Sequence, residues 1–458
     1  MSGRRFTKVL IANRGEIACR IIRACKALGL ATVAVHSEAD EQALHVELAD
    51  EAVAIGPAKP KESYLDIARV LGAARMAGAD AIHPGYGFLA ENEHFCEAVQ
   101  AAGLVWIGPS VQSIRDMGDK ERARRLAHEA GVPVVPGSAR FEAGELDGLE
   151  EAAMAVGFPL LVKASAGGGG IGMRKVLEPA KLRAEVEATQ NLAQKSFGDG
   201  TVYLERYVWP ARHVEIQVFG FGNGHAIHLL ERDCSIQRRF QKIVEESRAP
   251  GIPAEVLARM AEDAARLAAR ERYRGAGTVE FIVGPDHAYY FLEMNTRIQV
   301  EHPVTEMLTG FDLVQAQLRL ASGEPLQDSV RQDAIRACGH AIEARVYAER
   351  PAMGFLPSPG TITAMDLPAP EPGLRIDTGY RAGDQVTIHY DPMLAKVIAG
   401  GADRDDAIDR LDRALEATRI EGIGTNIAFL RKLLAHPRFR AGEVSTGFVD
   451  EHIAELRA

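Results

Sequence analysis

The sequence predicts an α/β protein with a parallel sheet at its N-terminal end, a central unit of strands interrupted by a glycine run, and a C-terminal mixed α+β unit. Three observations carry this. Short apolar runs alternate with helix-period stretches over the first hundred or so residues, a glycine run stands between two strand-like segments, and the last third mixes turn-bounded short strands with an amphipathic helix.

Lys8 to Ala12 is an apolar run, followed by a turn at Asn13-Arg-Gly15 and a helical pattern from Ile17 to Leu28. Further runs at Ala31–Val35 and Ala79–His83, the latter after another helical stretch, imply parallel strands whose ligands would sit at their C-terminal ends. The first turn offers one glycine, Gly15, instead of the three spaced glycines of a dinucleotide fingerprint, which argues against nicotinamide binding there.

The texture changes near Asp119. A charged helix over Lys120–Ala130 leads through turn-rich Gly131–Ser138 into a new unit. Phe158–Ala164 and Met173–Leu177 read as strands on either side of the glycines, and Thr201–Val208 as another that ends at a hinge, Trp209-Pro210. Strands at His213–Gly220 and Ala226–Glu231 precede a helix over Ala254–Ala269, and a further helix runs from His302-Pro303 to about Leu320. Gly339–Ala348 reads as a strand, Pro357-Ser-Pro-Gly360 opens a series of short strands, and Ala407, Leu411, Ala414 and Leu415 form the core face of a helix.

Composition narrows the function. At 458 residues the chain needs more than one core. A formal net charge of −10 argues against non-specific binding to nucleic acid or anionic membranes, so phosphate binding must be local. Five scattered cysteines form no C-x-x-C pair, which fits reduced thiols in the cytoplasm. The sequence shows neither a signal h-region nor an apolar run of about 18 residues, so no membrane span is expected.

Four segments carry chemistry. Lys163 precedes a run in which Gly167, Gly169 and Gly172 formally match G-x-G-x-x-G, but a strand follows and no G-K-[ST] is present. A loop between strands that closes over phosphates fits better, because glycine lets backbone N–H groups approach them; a plain flexible hairpin is the alternative. In the hairpin Thr278–Val283 and Ala288–Met294, pairing Val283 with Ala288 sets Glu280 opposite Phe291 and Glu293 one diagonal away, roughly 7–8 Å off. Two such carboxylates suit Mg²⁺, unless they are simply solvated. Beyond them Glu293, Asn295, Arg297, Gln299 and Glu301 alternate with Met294, Thr296, Ile298 and Val300. An extended segment of this pattern aims acids, amides and a guanidinium into one cleft, or else forms an amphipathic edge strand. Arg232 to Glu246 is dense in polar and basic residues, either an anion pocket or a solvated loop.

Together these stretches resemble the biotin carboxylase branch of the ATP-grasp superfamily. The likeness runs from Ile11-Ala-Asn-Arg-Gly-Glu-Ile17 through His83-Pro-Gly-Tyr-Gly-Phe88, Arg232-Asp-Cys-Ser-Ile-Gln-Arg-Arg238 and Glu293-Met-Asn-Thr-Arg-Ile-Gln-Val-Glu-His-Pro303 to the C-terminal region. It implies a Rossmann-like (pre-ATP-grasp) domain over 1–118, an ATP-grasp domain over 119–322 with a mobile glycine-loop lid at about 135–207, and a carboxylase C-terminal domain over 323–458. ATP would be bound by Lys120, Lys163, Gly169, Gly170, Glu205, Arg206, Tyr207, Val208, His213, Phe240, Glu280 and Glu293, with Mg²⁺ or Mn²⁺ on Glu280, Glu293 and Asn295. Bicarbonate would lie near Lys242, Arg297, Gln299 and Val300. Glu301 would be the base, and Arg345 would bind biotin and stabilise its enolate.

Three positions depart from the family pattern: Phe240 replaces a histidine that contacts nucleotide, Ile171 replaces a basic residue in the glycine loop, and Arg248 replaces proline. The sequence contains no Met-Lys biotin attachment signature, so the resemblance implies a separate biotin carboxyl carrier protein, a carboxyltransferase subunit and a homodimer. Tyr380-Arg-Ala-Gly-Asp384 with Tyr390-Asp-Pro-Met-Leu-Ala-Lys396 looks more like the α subunits that handle propionyl- or methylcrotonyl-CoA. The competing expectations are another ATP-grasp carboxylate ligase and a catalytically impaired ATP-binding regulatory subunit.

Overall fold

A computed structural model describes residues 6–165, 173–197 and 199–457. Contacts divide the chain into two units, one comprising Met1–Val132, Arg212–Phe281 and Glu293–Ala458, the other Pro133–Ala211 and Ile282–Leu292.

In the first unit the expected parallel sheet has the order Glu51–Ala54, Ala31–His36, Lys8–Ile11, Ala81–His83, Val105–Trp106. Its central strand is buried on both faces at Val9, Leu10 and Ile11, the run of apolar residues that a covered parallel strand requires. The helix Gly15–Ala27 lays Ile17, Ile21 and Ile22 on one face, and Phe95, Trp106 and Ile114 fill the other.

The second sheet has eight strands in the order Tyr289–Asn295, Arg274–Val283, Arg212–Phe221, Ala226–Arg238, Gln241–Ser247, His340–Tyr347, Met393–Gly401, Leu374–Thr378. Strands on both sides of residue 323 thus share one ladder, with Val244 paired to Ala344 and Ala344 to Val397. The helix Arg404–Ala417 covers this ladder, starting at Asp403, whose side chain accepts from the Asp406 N–H. Ala407, Ile408, Leu411, Ala414 and Leu415 share a core with Ile342, Val346 and Val397. Leu411 is fully buried, so Leu411→Ala is expected to cost about 2–5 kcal/mol, read as a lower denaturant midpoint.

The second unit is an antiparallel sheet ordered Gly137–Phe141, Val202–Arg206, Leu160–Ala164, Met173–Val176, packed by helices Leu149–Val156 and Leu182–Phe197. Leu149, Val162, Val186 and Leu204 make its core. Lys163 pairs with Met173, so the glycine run does connect adjacent strands; Gly167, Gly169, Gly170, Ile171 and Gly172 lie outside the described residues.

Four local expectations change. The strand containing Glu293 stops at Asn295, and residues 296–301 run irregularly into a helix. The helix expected from His302 to about Leu320 is two, His302–Thr309 and Leu313–Ala321, because Gly310 takes a left-handed conformation (φ 70°) and Asp312 caps the second. The Gly284 N–H, not Val283, meets the Ala288 carbonyl at 2.8 Å, which moves the assumed hairpin register by one residue. The polar segment from Arg232 is not a solvated loop. It is a hairpin turning at Arg239-Phe240, where both residues have positive φ as a two-residue reversal demands.

Candidate active site

Period-two alternation turns Glu215 and Gln217 of the Arg212–Phe221 strand inward, although sequence reading did not single them out. Glu215 lies directly opposite Arg232 in the ladder. Arg232 is fully buried, and each of its N–H donors has an acceptor: Nε bonds Glu215 at 2.6 Å, Nη1 bonds Gln217 at 2.7 Å and Thr305 at 2.9 Å, and Nη2 bonds Gln299 at 2.8 Å and Thr278 at 3.2 Å. The planar fork therefore joins four segments of the first unit and fixes Gln299.

Lys242 comes from the next strand, and its ammonium donates to three carboxylates: Glu215 at 2.7 Å, Glu301 at 2.7 Å and Glu280 at 3.0 Å. Burial alone would lower its pKa, but Cys234, Glu215, Glu280 and Glu301 hold it well above the ordinary lysine value. Glu301 precedes the helix His302–Thr309, and its second oxygen accepts from Arg345 Nη2 at 2.9 Å. Burial would push the Glu301 carboxyl up, yet Lys242, Arg345 and Arg232 keep it well below the usual carboxylate range. Glu280 behaves alike, with burial opposed by Lys242 and His213, the latter 2.9 Å away.

Asn295 donates to Glu280 at 2.9 Å and Gln299 donates to the same oxygen at 2.8 Å. Arg297 Nη2 donates to Asn295 at 2.9 Å and Nε to Glu91 at 2.9 Å. The expected set Lys242, Arg297, Gln299, Glu301, Arg345, Glu280, Asn295 and His213 is thus gathered, even though the segment carrying three of them, Arg297, Gln299 and Glu301, is not a strand. Val300 contributes its carbonyl to Lys396 Nζ at 2.8 Å. Glu293 pairs with exposed Lys120 at 3.3 Å. Phe240 stands 87% exposed at its hairpin tip.

Within the second unit Lys163 forms an ion pair with Glu205, and Arg206 Nε donates to the Val156 carbonyl at 2.9 Å. Tyr207 stacks on Trp209 with centroids 5.9 Å apart and Lys175 over the Tyr207 ring, while Val208 closes the stretch. Sequence reading also passed over Glu245, Glu343 and Lys396. All three are fully buried.

Known proteins match this arrangement along its length. Family models described as "Biotin carboxylase, N-terminal domain", "Carbamoyl-phosphate synthase L chain, ATP binding domain" and "Biotin carboxylase C-terminal domain" match residues 5–114, 119–329 and 343–451. The chain is 48% identical to Biotin carboxylase 2 of Bacillus subtilis (strain 168) over 98% of its own length and all of the relative. It is also 48% identical to the mitochondrial methylcrotonoyl-CoA carboxylase subunit alpha of Rattus norvegicus over 99% of its own length, but spans 63% of that protein. Among solved structures, the biotin carboxylase domain dimer of Hydrogenobacter thermophilus 2-oxoglutarate carboxylase, in complex with MgADP, ADP and bicarbonate, superposes with a TM-score of 0.88 at 43% identity, covering 99% of each chain. No helix among the described residues is long and apolar enough to cross a membrane. With family models matching most of its length and a relative of 48% identity matched from end to end, the chain belongs to the biotin carboxylase family of ATP-dependent ligases.

Proposed function

We propose that this chain carboxylates biotin, using ATP and bicarbonate, as the first half-reaction of an acyl-CoA carboxylase. The observation that carries the reading is Glu301 held between Lys242 and Arg345, an ionised buried carboxylate with a cation on each oxygen. Bicarbonate is taken by Lys242, Arg297, Gln299 and Val300. As the anion draws on Lys242, the cationic hold on Glu301 weakens and its basicity rises towards what proton abstraction requires. The deprotonated bicarbonate attacks the γ-phosphate of ATP, the bond to ADP breaks, and carboxyphosphate forms. Carboxyphosphate breaks down to CO₂ and phosphate, and the phosphate takes the ureido N–H proton of biotin. Arg345 stabilises the enolate, whose nitrogen bonds to CO₂. A closed, dry site protects the labile intermediate from water.

For ATP we assign Lys120, His213, Phe240, Glu280 and Glu293 in the first unit, and Lys163 with Glu205, Arg206, Tyr207 and Val208 in the second; Gly169 and Gly170 join this set from outside the described residues. Glu280 and Asn295, whose NH2 donates to Glu280 while its oxygen accepts from Arg297, offer hard oxygens suited to Mg²⁺ or Mn²⁺, with Glu293 as the third proposed ligand. When bound, the ion would neutralise phosphate charge. Biotin arrives on a carrier protein, a carboxyltransferase subunit takes the product, and the enzyme works as a homodimer. Unpaired cysteines among the described residues fit the cytoplasm.

The test is ADP release by the purified chain with Mg²⁺ and ATP, without bicarbonate, with bicarbonate, and with bicarbonate plus high free biotin. Turnover that needs bicarbonate and is accelerated by biotin is expected. A chain that binds ATP yet responds to neither, even with a biotinylated carrier protein, would sink the assignment.

A further inference from the structure

Arg345 has two anionic neighbours, and the proposed reaction uses only one. Its Nη2 reaches Glu301 at 2.9 Å and also pairs with Glu245 on the adjacent strand. Glu245 in turn lies directly opposite Glu343 in the ladder, on the same face of the sheet. Both carboxyls are completely buried, and neither Glu343 oxygen has a hydrogen-bond partner among the described residues. Two cross-strand carboxylates in so dry a place cannot both ionise at neutral pH.

We propose that Glu245 is a positioning residue for the carboxylation step, a second anchor that keeps the Arg345 guanidinium in place when Glu301 takes up its proton. The inference rests on the function proposed above. Once Glu301 is protonated it no longer attracts Arg345, at the stage when Arg345 must meet the biotin enolate. Glu245, which meets the same nitrogen from the adjacent strand, holds the guanidinium through that interval, and Glu343 keeps a proton so that the pair carries a single charge.

The surrounding charges agree. Burial pushes the Glu245 carboxyl up to about 7, against the pull of Arg345. Burial pushes Glu343 well above the ordinary range, with Lys396 opposing and Glu245 reinforcing. The other groups facing Glu245 are Lys242 on its own strand, Glu301, Cys234 across one ladder and Tyr347 across the other. Below pH 7 Glu245 becomes neutral and the second anchor is lost, so kcat/KM for biotin rises with pH through that region and then levels.

The experiment is the pH profile of kcat/KM for free biotin in the wild type and in Glu245→Gln, Glu245→Asp and Glu343→Gln, with KM for ATP measured alongside. Glu245→Gln is expected to lose the inflection near 7 and to raise KM for biotin roughly tenfold, as removal of a buried ion pair that orients a binding group does, with KM for ATP unmoved. Glu245→Asp keeps the charge and the inflection, and Glu343→Gln, isosteric with the protonated acid, keeps the inflection. A Glu245→Gln profile that superimposes on the wild type overturns the inference, as does a wild-type profile flat between about pH 6 and 8. If Glu245→Gln does not fold, loss of the inflection in Glu245→Asp overturns it instead. A wild type with no bicarbonate- and biotin-dependent turnover is a failure of the proposed function, distinguishable from either result.

Discussion

Glu301→Gln is expected to lower bicarbonate- and biotin-dependent turnover by about 10²–10⁴-fold while KM for ATP stays near the wild-type value. The glutamine keeps the volume and one acceptor oxygen, so the neighbours stay packed and the deficit isolates proton abstraction. The charge bookkeeping still changes, since Lys242 keeps only Glu215 and Glu280, and Arg345 keeps Glu245. Initial-rate measurement of ADP release checks this, with ATP binding followed separately. Turnover within about tenfold of wild type would remove Glu301 from the role of base and transfer the task to another group in the same cluster.

The second large effect concerns stability. Arg232→Lys replaces a five-donor fork with at most three donors, leaving at least two acceptors among Glu215, Gln217, Thr278, Gln299 and Thr305 unpaired in a fully buried site. Arg232→Met removes the charge outright and strands Glu215 beside Lys242 alone. A loss of about 3–5 kcal/mol is expected for Arg232→Met and somewhat less for Arg232→Lys, read as denaturant midpoints. Turnover should fall further than stability alone dictates, because Gln299 loses its support. An unchanged midpoint in Arg232→Lys would mean that the ammonium and water replace the fork at no cost.

Much of the fold was legible locally. Val9, Leu10 and Ile11 announce a strand covered on both faces, and the spacing of Ala407, Leu411, Ala414 and Leu415 announces a helix laid on a sheet. The convergence of Lys242, Arg297, Gln299, Glu301 and Arg345 came from a family likeness, and the geometry agrees with it. What stayed hidden depends on partners distant in sequence. Alternation from Glu293 to Glu301 fits a strand, but no neighbour among the described residues continues the ladder beyond Asn295, and the chain turns into a helix instead. Glu245 and Glu343 look like unremarkable strand residues until the register sets them face to face. Arg232 drew notice only as one of many polar residues, since nothing in its own segment reveals which five groups will face it.

The eight-stranded ladder also bears on how the protein comes off the ribosome. Gln241–Ser247 takes its outer neighbour from His340–Tyr347, which in turn is closed by Met393–Gly401. A nascent chain stopped short of His340 would present Gln241–Ser247 as an open edge, its N–H and C=O groups unpaired and Glu245 facing solvent. Such an edge invites pairing with a neighbouring polypeptide. The reactive centre therefore cannot assemble domain by domain in order of translation. It waits for His340–Tyr347 and Met393–Gly401, which are translated after Gln241–Ser247, and until they arrive the polypeptide carries an aggregation-prone edge.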